Sequence, residues 1–385
     1  MKILDKYILS KYFKTFIFTV LLLLPIAIAI DISEKIHKFI KHEDLSIWTI
    51  AKDHYLNFAI YYTNTFMPLA LFLAVILFTS KLASNTEVIA INSGGISFPR
   101  LMRPYMVGAT IIFIFAFYAN HFIVPNSSKI GEKFHRDYIA STYSMRGKDK
   151  VENINLQLDN DNFLFFRDYN LKRNNGNYFS YEHFENGVLK YKLTSRRISY
   201  KKKVVKSVQD SLINKNDSVT NKKDSAYFYT LKDFRKRYIY PNKDIIIKGK
   251  AFDTIFNLKP KELKIVGYLA KEMNSFKLKK QIELLEKRGV KNLNSYRVEL
   301  YKRSSMPSSV FALTIIAVAL AHRKKRGGMG VNLAIGVSLM FFYVFFMKIF
   351  EVIAASSNTN PLLLVWLPNI IFGILAIFLY LHARK

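Results

Sequence analysis

Three groups of side chains in this sequence are placed to do chemistry, and all three would do it by charge. The first lies in Glu34-Lys35-Ile36-His37-Lys38-Phe39-Ile40-Lys41-His42, where Lys35, Lys38 and Lys41 recur every third residue and fall on overlapping faces of a helix. Ammonium groups at the end of an apolar run suit phosphate or lipid headgroups; a basic belt that anchors the chain at a membrane interface is the plainer account. The second is Lys348 with Glu351, three apart and able to pair on one helical face. It reads either as a structural ion pair or snorkelling lysine, or as a charge lining the path of an anionic substrate. The third is Glu87 in the polar interruption Ser84-Asn85-Thr86-Glu87-Val88-Ile89-Ala90-Ile91-Asn92-Ser93-Gly94-Gly95-Ile96-Ser97. Ser84 or Asn85 can cap a short helix there, with Glu87 in the first turn where the helix dipole favours it. Val88, Ile89 and Ile91 give that helix an apolar side, and Gly94-Gly95 stop it. So short a helix needs a surface, either the membrane and neighbouring spans or a cytoplasmic partner.

Other chemistry is missing. No Gly-x-x-x-x-Gly-Lys-Ser/Thr loop is present to cradle a nucleotide, so the chain is not expected to hydrolyse ATP itself, and no His-Glu-x-x-His pair is present to hold zinc. The eight histidines are scattered, and the absence of cysteine removes disulfides and thiolate catalysis alike. No catalytic residue, metal ligand or cofactor is assigned. Asp31 is the other notable charge beside an apolar run, but proton-coupled transport would call for acids deeper in the membrane.

The elements that carry these groups follow from composition. Half the residues are apolar, yet the net charge is +30, and the two properties occupy different stretches. Apolar runs near the length needed to cross a bilayer, about 18 residues or more, lie around Phe16–Ile30, Ala59–Leu77, Tyr105–Val124, Val310–Ala321, Val331–Phe350 and Leu362–Leu381. The fourth reaches full length only by including Met306-Pro307-Ser308-Ser309, which leaves a kinked or re-entrant segment open. Lys2, Lys6, Lys11 and Lys14, then Lys81, Arg100 and Arg103, then Arg323 to Arg326, then Arg384 and Lys385 all fall on one side of six spans. The positive-inside bias makes that side cytoplasmic, with both termini inside and the long middle segment outside. A cleaved secretory signal is the alternative for the first run. A basic chain of this kind addresses membranes and anionic lipids, and no nucleic-acid partner is expected.

Between Pro125 and Lys302 the pattern turns to short alternating runs such as Leu156-Gln157-Leu158, Phe163–Phe166, Lys190–Leu193, Ile198–Tyr200 and Ile245–Ile247. These predict antiparallel strands in a sandwich, a jelly roll or an open half-barrel, with Asn174–Asn177 and Glu185-Asn186-Gly187 as tight turns. Ser207–Ser225 reads as a mobile polar loop. Past Pro260, Leu263, Val266, Leu269 and Met273, then Leu278, Ile282 and Leu285, keep helical spacing up to a stop at Gly289. Gly330, Ala334 and Ser338, four apart, would let another helix approach the fifth span. The expected organisation is a first membrane half over 1–124 with a coupling helix at about 84–95, a β domain over 125–260, a helical connector over 261–303 and a second membrane half over 304–385.

Met67-Pro68-Leu69-Ala70-Leu71-Phe72-Leu73-Ala74-Val75, then Ser84-Asn85-Thr86-Glu87, Gly94-Gly95-Ile96-Ser97 and Leu101-Met102-Arg103-Pro104 closely resemble the LptF/LptG family of lipopolysaccharide-export permeases. Leu4-Asp5-Lys6-Tyr7-Ile8, Tyr296–Arg303, Arg326-Gly327-Gly328 and Trp366-Leu367-Pro368-Asn369 extend the resemblance over nearly the whole chain. It implies a bacterial inner-membrane half-transporter of three spans, a periplasmic β-jelly-roll domain and three more spans. The implied partners are a paralogous permease subunit, two copies of a cytoplasmic ATPase, a bitopic jelly-roll protein and lipopolysaccharide. It also implies that Glu87, with Val88, Ile91, Gly94 and Gly95 around it, docks on the ATPase, and that Lys35, Lys38 and Lys41 contact substrate phosphates. A non-transporting scaffold that recruits envelope components is the alternative function.

Overall fold

The computed structural model describes residues 3–42, 45–140, 150–170, 173–201, 227–256, 258, 269–290, 292–323, 328–356 and 358–384. Two compact units emerge, one of Met1–Ala140, Ala270–Ile282 and Asn292–Lys385, the other of Ser141–Leu269 and Glu283–Lys291.

The first unit is helical. Its long elements are α1 (Ile3–Ile40), α2 (Ile47–Ser84) and α4 (Phe98–Ile139), with the short α3 (Glu87–Ser93) between the last two. After the one-turn α5 (Leu269–Glu272) and α6 (Ser275–Lys287) come α7 (Asn294–Ala321), α8 (Gly328–Ala354) and α9 (Pro361–Arg384). Six of these are long and apolar enough to cross a membrane, as six apolar runs predict. Burial sorts them: 72% of the most apolar window of α2 and 61% of that of α7 are buried within the chain, against 11% for α1. The helices α2 and α7 therefore form the centre, and α1 leaves Ile17, Phe18, Leu21, Leu22, Ile26 and Ile30 turned outward.

The fourth span is one continuous helix. Pro307 sits inside α7 and lacks the N–H that would bond one turn back. Hydroxyls mend the surroundings: Ser308 donates to the Ser304 carbonyl at 2.9 Å and Ser309 to the Met306 carbonyl at 2.7 Å. The Asn369 amide of α9 donates to the Ser305 carbonyl at 2.5 Å, and the Ser305 hydroxyl donates to the Val365 carbonyl at 2.9 Å. Polar side chains of α7 and α9 thus make their hydrogen bonds within the turns beside the proline, where water is scarce. Helix α4 runs on past 124 to Ile139, with π-helical turns over Ala119–Ile123 and His135–Ile139. Among the described residues the stripe Gly330, Ala334, Ser338 makes no close approach; Gly336 does, with a Cβ there falling 2.2 Å from Ile76 of α2.

Among its described residues the second unit holds six antiparallel strands, each paired with its sequence neighbour in the order β1-β2-β3-β4-β5-β6. They are β1 (Lys150–Gln157), β2 (Asn162–Asn170), β3 (Asn175–Glu185), β4 (Val188–Lys201), β5 (Phe228–Tyr240) and β6 (Lys243–Ile255). The alternating runs of the sequence fall on β1, β2, β4 and β6, and none of them falls on β3 or β5. Asn186 at φ 52 and Gly187 at φ 78 form the turn between β3 and β4, as their residue types predict. The Asn174 turn is shorter than expected, because Asn175, Gly176 and Asn177 already pair with β2 and β4. Leu278, Ile282 and Leu285 fall on α6 as expected, and Gly289 ends that stretch at φ 68. Ser207–Ser225, Leu263 and Val266 lie outside the described residues.

One irregularity crosses the whole sheet. Along each ladder a single opposed pair drops out of the pairing: Asn153 with Arg167, Arg167 with Tyr178, Tyr178 with Arg196, Arg196 with Asp233, and Asp233 with Lys250. Asn153, Tyr178 and Asp233, on alternate strands, take positive φ of 52°, 49° and 53°. The inward pattern shifts there from every second residue to a three-residue step, so that Phe166 and Tyr169, Ser195 and Ile198, and Leu231 and Phe234 turn to the core side. Gly176 lies at the crease under Phe166 and Tyr169, where a Cβ would come to 3.0 Å of both rings. The core inside the bend gathers Ile154, Leu164, Phe166, Phe179, Leu193, Tyr229 and Phe256, and burial pushes the Tyr191 hydroxyl near it up to about 12.

Helix α1 is tightest against α4 where Gly108 faces the Tyr12 ring. A Cβ at Gly108 would lie 2.8 Å from that ring, which is fully buried and edge-on to Tyr105 and Phe78. Gly108→Val should cost about 1–3 kcal/mol through overpacking and lower the unfolding midpoint in detergent. An unchanged midpoint would show that the ring yields freely.

Candidate functional site

The polar interruption folds differently from its cap prediction. The Ser84 hydroxyl donates back to the Lys81 carbonyl at 2.9 Å and Asn85 closes α2, leaving Thr86 to precede α3 at φ 65 with no side-chain cap bond. A β-branched residue in the left-handed region is a strained choice. The Glu87 carboxylate accepts the Tyr7 hydroxyl of α1 at 2.9 Å and the Asn85 amide at 3.4 Å. Val88 is buried in the main helical core and Ile91 packs against it, so these two hold α3 down while Ile89 and Ala90 face outward. Gly94 donates to the Ala90 carbonyl at 3.0 Å, and Gly95, at φ 77, donates to that of Asn92 at 3.0 Å. At φ 77 Gly95 adopts a backbone that L residues rarely take. Just beyond, Arg100 of α4 grips Asp5 of α1 with two hydrogen bonds, 2.7 and 2.9 Å. The loop is thus bracketed by two polar ties to the first helix.

At the far end of α1 the three lysines differ. Lys35 is half-buried, ion-paired with Asp31 one turn back, and its ammonium sits 5.9 Å over the Phe58 ring. Asp31 is itself buried and contacts His54 Nε2 of α2 at 2.8 Å, with the His54 ring stacked on Phe134 at 5.2 Å. Lys38 lies in the last turn and Lys41 just beyond it, and both are exposed. Only these two present open ammonium groups.

Lys348 pairs with Glu351 at 3.1 Å, as the three-residue spacing predicts, but the carboxylate is shared. Lys302 of α7 reaches its other oxygen at 2.8 Å. Reading single helices could not find Lys302; the signal lay in the charged turn Glu299–Arg303, two of whose cations were bound to need partners near an apolar span. These groups line a cavity of about 290 Å³ together with Met340, Tyr343, Met347 and a reciprocal amide pair, Asn64 with Asn120 at 3.0 and 2.7 Å. The Ser128 hydroxyl in the same wall is buried without a partner among the described residues. No hydrogen bond or ion pair among the described residues joins Lys348 to the lysines of α1, and no cluster of three or more His, Asp or Glu forms a metal site among them.

Three long apolar helices before an inserted antiparallel sheet in the chain and three after it, with their charged groups gathered near the helix ends, define a multi-pass membrane protein. The lipopolysaccharide export system permease LptF/LptG family matches residues 6–382, and the chain belongs to that family. No individual curated protein matches it. It is therefore a multi-pass inner-membrane protein and the permease component of a lipopolysaccharide export system, a transport subunit and not an enzyme.

Because Asp31 ties Lys35 and His54 together, Asp31→Asn should free the Lys35 ammonium. Amine acylation followed by peptide mapping should show Lys35 labelled about as fast as Lys38, where in the parent it lags. Equal rates in the parent would contradict the tie. The lost charged hydrogen bonds should also cost about 1.5–3 kcal/mol of stability.

Proposed function

We propose that this permease is one half of an ATP-driven exporter that lifts lipopolysaccharide out of the inner membrane and passes it to a periplasmic bridge of β-jelly-roll units. The observation that carries the reading is α3: pinned by Val88 and Ile91, it turns Ile89 and Ala90 outward on a chain whose sequence lacks a phosphate-binding loop. An energy source must then come from outside, and a short helix projecting between two spans is a fitting contact for a cytoplasmic ATPase, bound as a dimer across this subunit and its paralogue. Glu87, steadied by Tyr7, is the acidic group offered there.

Orientation follows from charge. Lys2, Lys6, Lys11 and Lys14, Lys81, Arg100 and Arg103, Arg323 to Arg326, and Arg384 with Lys385 lie on one side of six crossings, which we take as cytoplasmic. The β unit is then periplasmic, and Lys38 and Lys41 stand at the outer end of α1, free to meet substrate phosphates. Lys348, beside the cavity of α2, α7 and α8, extends that cationic path. Among the described residues strand β6 ends the sheet with one edge unpaired, and Ile245, Ile246 and Ile247 are all exposed on it. Such an edge suits strand addition by the jelly roll of a bitopic partner.

Expressed with its chromosomal neighbours and purified in mild detergent, the chain should bring down an ATPase. Glu87→Ala or Ile89→Asp should insert normally but lower that recovery about tenfold, the loss of one interface anchor; full recovery in both variants would remove α3 from the interface. Lys38→Glu with Lys41→Glu should reduce photocrosslinking to lipopolysaccharide more than Lys35→Glu, whose parent side chain is already paired. A photoreactive residue at position 246 should capture a second β protein, and capture equally efficient from the β5 face would argue against edge pairing.

A further inference from the structure

The crease of the β sheet carries an unexplained concentration of cations. Arg196 and Arg197 are consecutive exposed residues between inward-turned Ser195 and Ile198, and Lys232 follows Leu231 on the next strand. In register, Arg197 stands directly opposite Lys232. Like charges directly opposed across an antiparallel pair are destabilising. Arg167 adds a fourth positive group, its guanidinium stacked 3.6 Å from the centre of the Tyr178 ring and 3.6 Å from the Asp168 carboxylate. These four side chains, with Asn177, Tyr178 and Asp233, line a recess of about 460 Å³.

Two cations elsewhere on the sheet find partners: Lys192 pairs with Glu182 at 2.7 Å and Arg237 with Asp244 at 2.5 Å. Arg196, Arg197 and Lys232 make no side-chain hydrogen bond or ion pair among the described residues. Asp233 is the one carboxylate in the lining, outnumbered four to one. Arg235 and Lys248, opposed in the next ladder, strengthen the same positive field.

From this we infer that the recess along the crease binds a phosphate-bearing anion, held by Arg167, Arg196, Arg197 and Lys232. Guanidinium forks match phosphate oxygens two at a time, and an ammonium adds a point charge beside them. Stacking on Tyr178 holds the Arg167 guanidinium in place before any ligand arrives. A dianion seated between Arg197 and Lys232 converts their mutual repulsion into shared attraction, and the fixed turn of the crease keeps the cations converged. The phosphate could be borne by a lipid headgroup or be free in solution; both present the same oxygens. The inference does not rest on the role of the membrane-helix lysines in export.

The test is calorimetric titration of the full-length protein in neutral detergent with inorganic phosphate, pyrophosphate and short-chain phosphatidic acid, with short-chain phosphatidylcholine as control. We expect saturable binding of at least one phosphate probe, weakened about tenfold or more in Arg196→Gln/Arg197→Gln and measurably in Lys232→Gln. Lys201→Gln/Lys243→Gln, which removes equal charge from the same sheet outside the recess, should leave it unchanged. Binding of the free anions assigns a solute ligand; binding of phosphatidic acid alone assigns a lipid headgroup. Absence of saturable binding by every probe overturns the inference, and so does an equal loss in the two double variants. Arg197→Lys, which keeps the charge and removes the fork, separates a specific contact from a general field: it should retain part of the affinity, whereas full affinity would reduce the site to bulk electrostatics.

Discussion

The attachment of the first helix to the central helices sets where its two charged ends stand. Much of its apolar middle faces away from the chain, with Val20, Leu23 and Leu24 beside Thr63, Phe66 and Ala70 of α2, and its polar and aromatic ties are Asp5 to Arg100, Tyr7 to Glu87, Tyr12 among Tyr105, Phe78 and Thr314, Phe39 among His54, Tyr55 and Phe134, and Asp31 to His54. In hydrocarbon there is no hydrophobic gain from pressing one apolar helix on another, and hydrogen bonds and close packing must do that work. The 38 residues of α1 make a rod about 57 Å long, at 1.5 Å per residue. One end touches the helix between the second and third spans, and the other bears the lysines. Both surfaces proposed to serve export thus meet on a single helix.

Much of this was legible from the residues. Six apolar runs gave six helices because span length is dictated by bilayer thickness, and the Asn-Gly turn between β3 and β4 was marked because few residues accept its backbone. The ties were hidden for a plain reason. Tyr7 and Glu87 are 80 residues apart, Asp5 and Arg100 are 95, and Lys302 and Glu351 are 49, whereas periodicity reports only neighbours on one element. Ser84 and Asn85 looked like caps since their side chains suit that role, but both were drawn into ending α2. Strand β5 escaped notice because Lys232 and Asp233 stand side by side where alternation expects an apolar residue, and β3 because its first residues are those of a turn.

Charge is organised differently in the two units. Near the helix ends of the membrane unit most acids are spoken for: Asp31 serves Lys35 and His54, Glu351 serves Lys302 and Lys348, and Glu272 serves Arg136 at 2.8 Å. A cation or anion left bare there would carry a heavy desolvation cost, so the sequence supplies carboxylates in pairs with their bases. On the sheet, in contact with water, lysine and arginine outnumber acids without that penalty, and the excess is tolerated wherever solvent screens it.

The crease has a consequence for how this chain can diverge. Along all five ladders the pairing breaks at the same level, so each strand is keyed to its neighbours at one fixed point as well as at its turns. Removing a single residue from any one strand would carry its slipped position out of line with the strands beside it and turn its core residues outward. Changes of length should therefore collect in the connections, while the strands themselves evolve by replacement at constant length.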